Sequence, residues 1–435
     1  MIAATASRRA TYPIRWWIGG ILFASTVINY VDRQTLSLLA PFLKRDYHWS
    51  NTDYANIVVA FRAAYSVGQT VCGRFIDRTG TRRGLTITVV WYSIVSVLTS
   101  LASGFRSFTV FRVLLGLGES ANWPGATKAV SEWFPARERA LATALFDSGS
   151  SIGGAIAPMI VLSIYFRWGW RAAFVIPGLL GFLWLAAWRR FYYSPEDHPR
   201  ISEQEREMIL EERESSRDRT SRPRWLDLLK LPQTWGTIAA KTFTDPVFFF
   251  IADWFPIYLV SKGISLRNGL IAVWIPFLAA DLGSLSAGAV SGYLIKRGWP
   301  LGRARKVFVL LGGIGILLII PSVLTVKLPV ITILFALATF SYGCFTTVAN
   351  VLPSDLFESG SVASVSGLSG TGAALGTIVA FELIGRLSDA RLASATHAFD
   401  PIIVAAGLIP LIGAFLVLAL VRNTRATDEG LVQRI

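Results

Sequence analysis

Residues 29–34 read Asn-Tyr-Val-Asp-Arg-Gln and place an aspartate beside an arginine inside an apolar run from about Ile14 to Ala40. A charge in a bilayer core costs at least a few kcal/mol unless it pairs or faces water, so Asp32 and Arg33 need a reason to be there. They have company. Tyr30 stands one turn before Arg33. Arg62, Tyr65 and Gln69 share a helical face by i, i+3, i+7 spacing. Arg112 and Glu119 are nearly two turns apart, which puts both on one face, about 10 Å apart along the axis. Lys241, Asp245, Asp253 and Asp281 follow in later apolar runs. An arginine fork matches a substrate carboxylate or phosphate. A carboxylate beside it, partly desolvated, can titrate and carry a proton. Together they suit an anionic substrate taken up with protons. The bland alternative is a set of internal salt bridges that fix helix register. It accounts for any one pair, but poorly for mid-depth arginines in three separate helices, two of which also carry a carboxylate.

The elements that must hold these charges are long helices. The chain has 435 residues, is 53% hydrophobic and only 16% charged. Crossing a bilayer takes about 20 apolar residues, and roughly twelve such runs occur. They span residues 14–40, 53–73, 85–104, 108–131, 139–165, 171–192, 233–260, 268–295, 305–326, 329–352, 361–387 and 400–421. The expected class is an all-α polytopic membrane protein of twelve transmembrane helices in two six-helix halves. Arg8, Arg9 and Arg15 precede the first run, but that run is too long for a signal peptide and has no A-x-A-type site after it, so it reads as an uncleaved first helix.

The formal net charge of +14 does not require nucleic acid. With the N-terminus in the cytoplasm, most Lys and Arg fall in cytoplasmic segments, the positive-inside pattern. Both termini are then expected inside, with the lipid bilayer as surroundings. Cys72 and Cys344 lie far apart, and His48, His198 and His397 fall in loops, so neither a disulfide framework nor a metal spacing is present.

One break in composition stands out. Residues 194–231 are dense in charge, and Ser202 with Glu205 forms a capping box opening a short helix. The expected organisation is an N-terminal half, 1–193, a cytoplasmic linker, 194–231, and a C-terminal half, 232–435. The halves echo one another. GRFIDRTGTRR (73–83) corresponds to GYLIKRGWPLGRARK (292–306), and SEWFP (131–135) to SDLFE (354–358), each offset by roughly 220 residues, as in two-half secondary transporters. In the first copy Gly73, Asp77, Arg78, Gly80, Arg82 and Arg83 sit in a two-helix turn. Glycines permit the turn, Asp77 can accept bonds from a neighbouring helix N-terminus, and the arginines anchor the cytoplasmic face. The motif reads as a gate latch. The second copy has Lys296 in the place of Asp77, so its latch is expected to be weaker.

Other motifs point nowhere. GLSGTGAALG (367–376) has a G-x-G pattern but no preceding strand and no acid at the right distance. It and GSSIGGAIAP (149–158) read as small residues for close helix packing. The chain has no P-loop and no Ser/His/Asp arrangement. An enzyme is not expected.

With the G-x-x-x-D-R-x-G-x-R-R turn, twelve helices and the half-repeat, the sequence resembles the major facilitator superfamily over its whole length. Within it, NYVDRQTLSLLAP, RVLLGLGESANWPGATKAVSEWFPARERA and GSSIGGAIAP are similar to the anion:cation symporter family, which carries organic anions with H⁺ or Na⁺. WIPFLAADLGS (274–284) and SEWFPARER (131–139) resemble its hexuronate branch. The resemblance to galactonate-type members implies roles. Asp32 and Glu119 would be the protonatable pair, Arg33 would bind the substrate carboxylate, Tyr30 and Tyr65 would line the site, and Arg112 would couple to the carboxylates. Ser150 stands where relatives can carry a glutamine. Arg62 is a departure that would fit a diacid substrate or a local ion pair. Gln69 is placed with the substrate site, and in the C-terminal half Lys241, Asp245, Asn350, Ser369 and Thr371 are the expected contributors.

The function implied is proton-coupled symport of an organic anion, a hexuronate or related sugar acid, by alternating access. The expected setting is a bacterial inner membrane, with a monomer sufficing, no cofactor, and H⁺ or Na⁺ as coupling ion. In the empty state Asp32 and Arg33 would satisfy each other or pair with Arg112, and substrate would compete for Arg33, a coupling that must be reciprocal. An organophosphate:phosphate antiporter would share Arg33 and could use Lys241 as a second cation, but it has less need for Asp32 and Glu119. A transport-inactive sensor should carry an extra soluble domain, for which the linker is too short.

Overall fold

The computed structural model describes residues 13–49, 51–214, 224–264, 266–390 and 399–421. These are helical, with no strand among them. The first half runs α1 Ile14–Tyr47, α2 Asn51–Thr79, α3 Thr81–Thr99, α4 Phe105–Glu119, α5 Asn122–Trp133 and α6 Ala136–Phe191. Helix α7 (Glu203–Glu214) and the single turn α8 (Trp225–Leu228) form the connection. The second half runs α9 Pro232–Ser261, α10 Leu266–Lys296, α11 Leu301–Ile316, α12 Leu328–Leu356, α13 Val362–Ala390 and α14 Asp400–Leu420.

Two details differ from the sequence expectation. The run expected over 108–131 is broken: α4 ends at Glu119 and α5 starts at Asn122. The runs 139–165 and 171–192 join as α6, two spans meeting at Gly169, whose φ of 80° suits a residue without Cβ. Counting α4 with α5, and α6 twice, each half has six spans.

Among the described residues, six helical stretches are long and apolar enough to cross a membrane by length and composition alone. Five of them, Trp274–Lys296, Leu301–Leu324, Leu328–Leu356, Val362–Ile384 and Asp400–Leu420, belong to the second half. The spans that fall short include α1, α2 and α4, which hold Asp32, Arg33, Arg62, Arg112 and Glu119.

Each half packs around its own apolar clusters. In the first half, Trp133, Phe134, Phe146 and Trp188 anchor one cluster, and Phe108, Trp170 and Phe174 another. In the second, Phe250, Phe255, Tyr258 and Phe335 anchor one, and Phe345, Val348 and Val417 another. One residue crosses over: Ala363 of α13 packs into the first-half cluster.

That crossing marks where the halves meet. A Cβ added at Gly73 of α2 would strike the Ala363 carbonyl, and one at Gly292 of α10 would strike the Arg137 carbonyl of α6. The two repeat copies thus use the same glycine to let one half's helix lie against the backbone of the other. Gly80, with φ 83°, is the residue that the α2–α3 turn needs. Gly73 serves close approach instead of the turn.

Ionic contacts reinforce both crossings. Asp77, 2% exposed, accepts from the Ala363 and Ser364 amides at 3.3 and 2.7 Å and from Lys128 Nζ at 2.9 Å. It caps the N-terminus of α13, where four backbone donors lack helical partners. The second copy does not copy this device, and it is not weak. Lys296 is exposed. Arg305, 2% exposed, donates to Asp355 at 2.8 Å, to Ser291 Oγ at 2.7 Å and to the Ala136 carbonyl at 2.8 Å. Arg139 donates to the Ser354 carbonyl at 2.9 Å and to Asp355 at 3.4 Å. Of the arginines in the first copy, Arg82 donates to the Arg189 carbonyl at 2.7 Å and lies 4.1 Å from the Tyr193 ring, while Arg78 and Arg83 are exposed.

The linker is fastened at the same end. Ser202 Oγ accepts the Glu205 amide at 3.3 Å, which is half of the expected capping box. The Glu205 carboxylate does not reach back to Ser202. It caps α1, accepting from the Ile14 and Arg15 amides at 3.0 and 3.2 Å and from the Arg15 guanidinium at 2.8 Å. Arg15 also pairs with Glu138 at 2.6 Å. This end of the bundle is called the linker face below.

Substituting Gly73 or Gly292 by Val should open the linker face, since overpacking a tight contact costs about 1–3 kcal/mol. Increased labelling of a cysteine introduced beside Ser364 in either variant checks this. Unchanged labelling would show that the crossings tolerate a side chain.

Candidate substrate and coupling site

Above the linker face the halves enclose two polar groups, one on each side. The first is built by α1 and α4. Consecutive helical residues point about 100° apart, so Asp32 and Arg33 face different neighbours. Arg33 reaches Glu119 of α4, with Nε and Nη2 both 3.4 Å from Oε2. Its Nη2 also donates to Asn29 Oδ1 at 3.3 Å. The rings of Tyr65, Tyr30 and Phe61 wrap the guanidinium at 4.6, 4.9 and 5.3 Å, within cation–π range. The Glu119 side chain has no exposure, whereas that of Arg33 keeps 26%. The fork is therefore held from behind and open in front.

Asp32 turns away from Arg33 and accepts from Ser96 Oγ of α3 at 3.2 Å. The expected Asp32–Arg33 partnership is absent here; Glu119 takes that place, because adjacent positions on a helix cannot face one another. Arg112, 3% exposed, lies within electrostatic range of both Glu119 and Asp32 and 5.7 Å from the Phe61 ring. Several buried polar atoms here have no hydrogen-bond partner among the described residues: Asn29 Nδ2, Asp32 Oδ2, Ser93 Oγ, Arg112 Nε and Nη2, and Glu119 Oε1. Buried polar groups are nearly always satisfied, so these atoms are the ones in this region with hydrogen-bonding capacity to spare.

The second group centres on Lys241 of α9. Its Nζ donates to Asn350 Oδ1 at 2.7 Å, pairs with Asp245 one turn on at 3.2 Å, and lies 5.8 Å from the Trp123 ring of α5. Asp147 of α6 is an electrostatic neighbour of Lys241, Asp245 and Asp281. Asp281 of α10 accepts from Ser151 of α6 at 3.0 Å, a bond between the halves. Ser150 donates to the Asp147 carbonyl at 2.7 Å.

Several expected residues sit lower, in the contact between α2 and α13. Thr371 donates to the Ser66 carbonyl at 2.7 Å and meets Thr70 Oγ1 at 2.7 Å. Gln69 is buried there, and a Cβ on Gly370 would collide with its amide. Ser369 is 1% exposed and donates to the Val365 carbonyl of its own helix at 3.0 Å. In this conformation these three serve the floor and not the open cavity. Arg62 lies 5.9 Å from the Phe381 ring of α13. The Asp253 side chain lies outside the described residues.

Sequence reading missed Asp147, Ser96 and Trp123. Asp147 was findable: it is the only acid in the apolar run 139–165, the same signal that singled out Asp32. Ser96 and Trp123 are ordinary residues of a span and carry no such signal.

A family model described as Major Facilitator Superfamily matches residues 22–381. The chain is 31% identical over 422 residues to the hexuronate transporter of Escherichia coli (strain K12), covering 95% of this chain and 96% of that one. It is 33% identical over 279 residues to the galacturonate transporter of Dickeya chrysanthemi, covering 63% and 81%. Its fold is similar to that of the proton:xylose symporter XylE bound to 6-bromo-6-deoxy-D-glucose, with TM-score 0.72, 14% identity, and coverage of 96% and 98%. The matched model and the full-length likeness to a named transporter together show that this chain belongs to the major facilitator superfamily and is a membrane transporter, not an enzyme.

Proposed function

We propose that the chain is a proton-coupled symporter of an organic anion, a hexuronate or related sugar acid, working by alternating access. The observation that carries this reading is the half-open Arg33 fork backed by fully buried Glu119, with unpartnered atoms on Asp32, Arg112 and Glu119 around it. A substrate carboxylate entering from the cavity would compete with Glu119 for the fork. Glu119, losing its cation in a water-poor site, would then favour its protonated form. Substrate and proton thereby promote each other's binding, as linkage demands. Asp32, turned toward Ser96, is the second carboxylate of the pair, and Arg112 lies within electrostatic range of both. The relatives' names support the sugar-acid class.

Positive-inside reasoning assigns the linker face to the cytoplasm, since Arg78, Arg82, Arg83, Arg189, Arg190 and Lys296 all lie there. Both termini would be cytoplasmic and the membrane a bacterial inner membrane. The closed linker face then makes this a form shut toward the cytoplasm. Transport consists of residues 1–193 rocking against 232–435, with 194–231 as the tether, the Asp77 and Arg305–Asp355 contacts parting as the cytoplasmic side opens. A monomer suffices, no cofactor is required, and the gating turn is Gly73 to Arg83.

Proteoliposomes holding the purified chain should accumulate labelled galacturonate under an inward proton gradient and not under a sodium gradient. Exchange against internal phosphate with no gradient-driven uptake would instead support an organophosphate-type antiporter. Asp32→Asn should abolish gradient-driven accumulation yet retain counterflow; loss of binding in a folded variant would remove Asp32 from the coupling role. Arg33→Lys keeps the charge but loses the fork, and should weaken binding by about tenfold or more, because hydrogen bonds to charged groups contribute about 1.5–3 kcal/mol. Equal affinity for the native and Lys variants would show that the fork does not hold the carboxylate.

A further inference from the structure

The two polar groups between the halves differ in charge. On the α1–α4 side the half-open Arg33 offers a guanidinium to an anion. On the opposite side Lys241 pairs with Asp245 and is an electrostatic neighbour of Asp147, which also neighbours Asp245 and Asp281. Lys241 is already engaged by Asn350 and Asp245, at 2.7 and 3.2 Å. Asp245 is 8% exposed, and its Oδ1 has no partner among the described residues. Asp281 has one bond to Ser151. The phenols of Tyr30 and Tyr342 are electrostatic neighbours of Asp147.

We propose that this acidic side selects sugar acids with one carboxylate and rejects those with two. The claim rests on the sugar-acid reading above and concerns which members of that class are carried. Carboxylates accept hydrogen bonds and donate none when ionised. They are good partners for the hydroxyls of a sugar tail, as charge-assisted bonds. They are poor neighbours for a second carboxylate, which would meet like charges in a poorly screened cavity. A substrate is thereby oriented, with its carboxylate on Arg33 and its hydroxylated end between Asp147 and Asp281. Arg62, which a diacid reading would enlist, lies beside Phe381 of α13.

The test is calorimetric binding to the purified full chain without any ion gradient, using galacturonate and galactonate, with one carboxylate each, and galactarate, with two. Galactarate should bind about tenfold or more weakly than either monoacid. Asp147→Asn and Asp281→Asn should each narrow that ratio several-fold, by strengthening galactarate and weakening the monoacids. If one variant does not fold, the other carries the comparison. Equal binding of galactarate and galacturonate by the native chain would overturn the proposal. So would a ratio unchanged in a variant with native melting temperature. Failure of all three acids to bind would refute the substrate class beneath it. The expected ratio without any response to a proton gradient would uphold this selectivity while refuting proton coupling.

Discussion

Everything in the cavity is organised around the buried pair of Arg33 and Glu119. Two charges withdrawn from water gain little net stability from each other, and removing one leaves the other stranded at high cost. A pair with one member sealed and the other half-open is well suited to exchange. In the proposed mechanism an incoming anion would take the place of Glu119 on the fork. The aromatic collar of Tyr30, Phe61 and Tyr65 holds the planar cation in place while its partner changes. The same collar keeps the site from being a simple salt bridge that locks α1 to α4.

The rest of the bundle closes one end of the molecule, the linker face, beneath this pair. The closest approaches between the halves are made at glycines, Gly73 against Ala363 and Gly292 against Arg137. Backbone lies on backbone there, with no long side chains to untangle when the faces part. Directional ionic contacts sit beside each: a helix cap from Asp77, and an arginine-rich knot on Asp355. Such contacts are strong when aligned and are lost abruptly with small rotations, which favours two discrete states over a continuum. The two crossings are related by the sequence repeat in their glycine but not in their charges.

The linker contributes more than connection. By placing Glu205 on the first amides of α1 and on Arg15, it ties the start of α1 to the start of α6 through Glu138. The beginning of α6 is also where Ala136 and Arg139 receive Arg305 and Asp355 from the other half. One short stretch of chain thus joins the linker, the first span and the inter-half contact. His198, packed edge-on to Trp133 and accepting the Arg200 amide, is held below its ordinary protonation range, chiefly by burial, and stays neutral in this joint.

Hydropathy, the charge-dense break and the offset repeat determine the class, the twelve spans and the two halves, because burial in a bilayer forces long apolar runs wherever the fold goes. They also single out Asp32, Arg33, Arg112, Glu119, Lys241 and Asp245, since a charge in such a run is costly and therefore conspicuous. What faces what is a tertiary matter. Helical periodicity says that Asp32 and Arg33 point apart, but not that Arg33 meets Glu119 while Asp32 meets Ser96. That depends on how α1 rotates against α3 and α4. Only the packed halves bring Asp147 beside Asp281 and Asp245, and only they send Gln69 and Thr371 into the floor. Both residues of the second clasp lie in the repeated segments, 292–306 and 354–358, but nothing in those segments pairs them. Arg305 and Asp355 are 50 residues apart in sequence and become partners only when α11, α12 and α6 converge at the linker face.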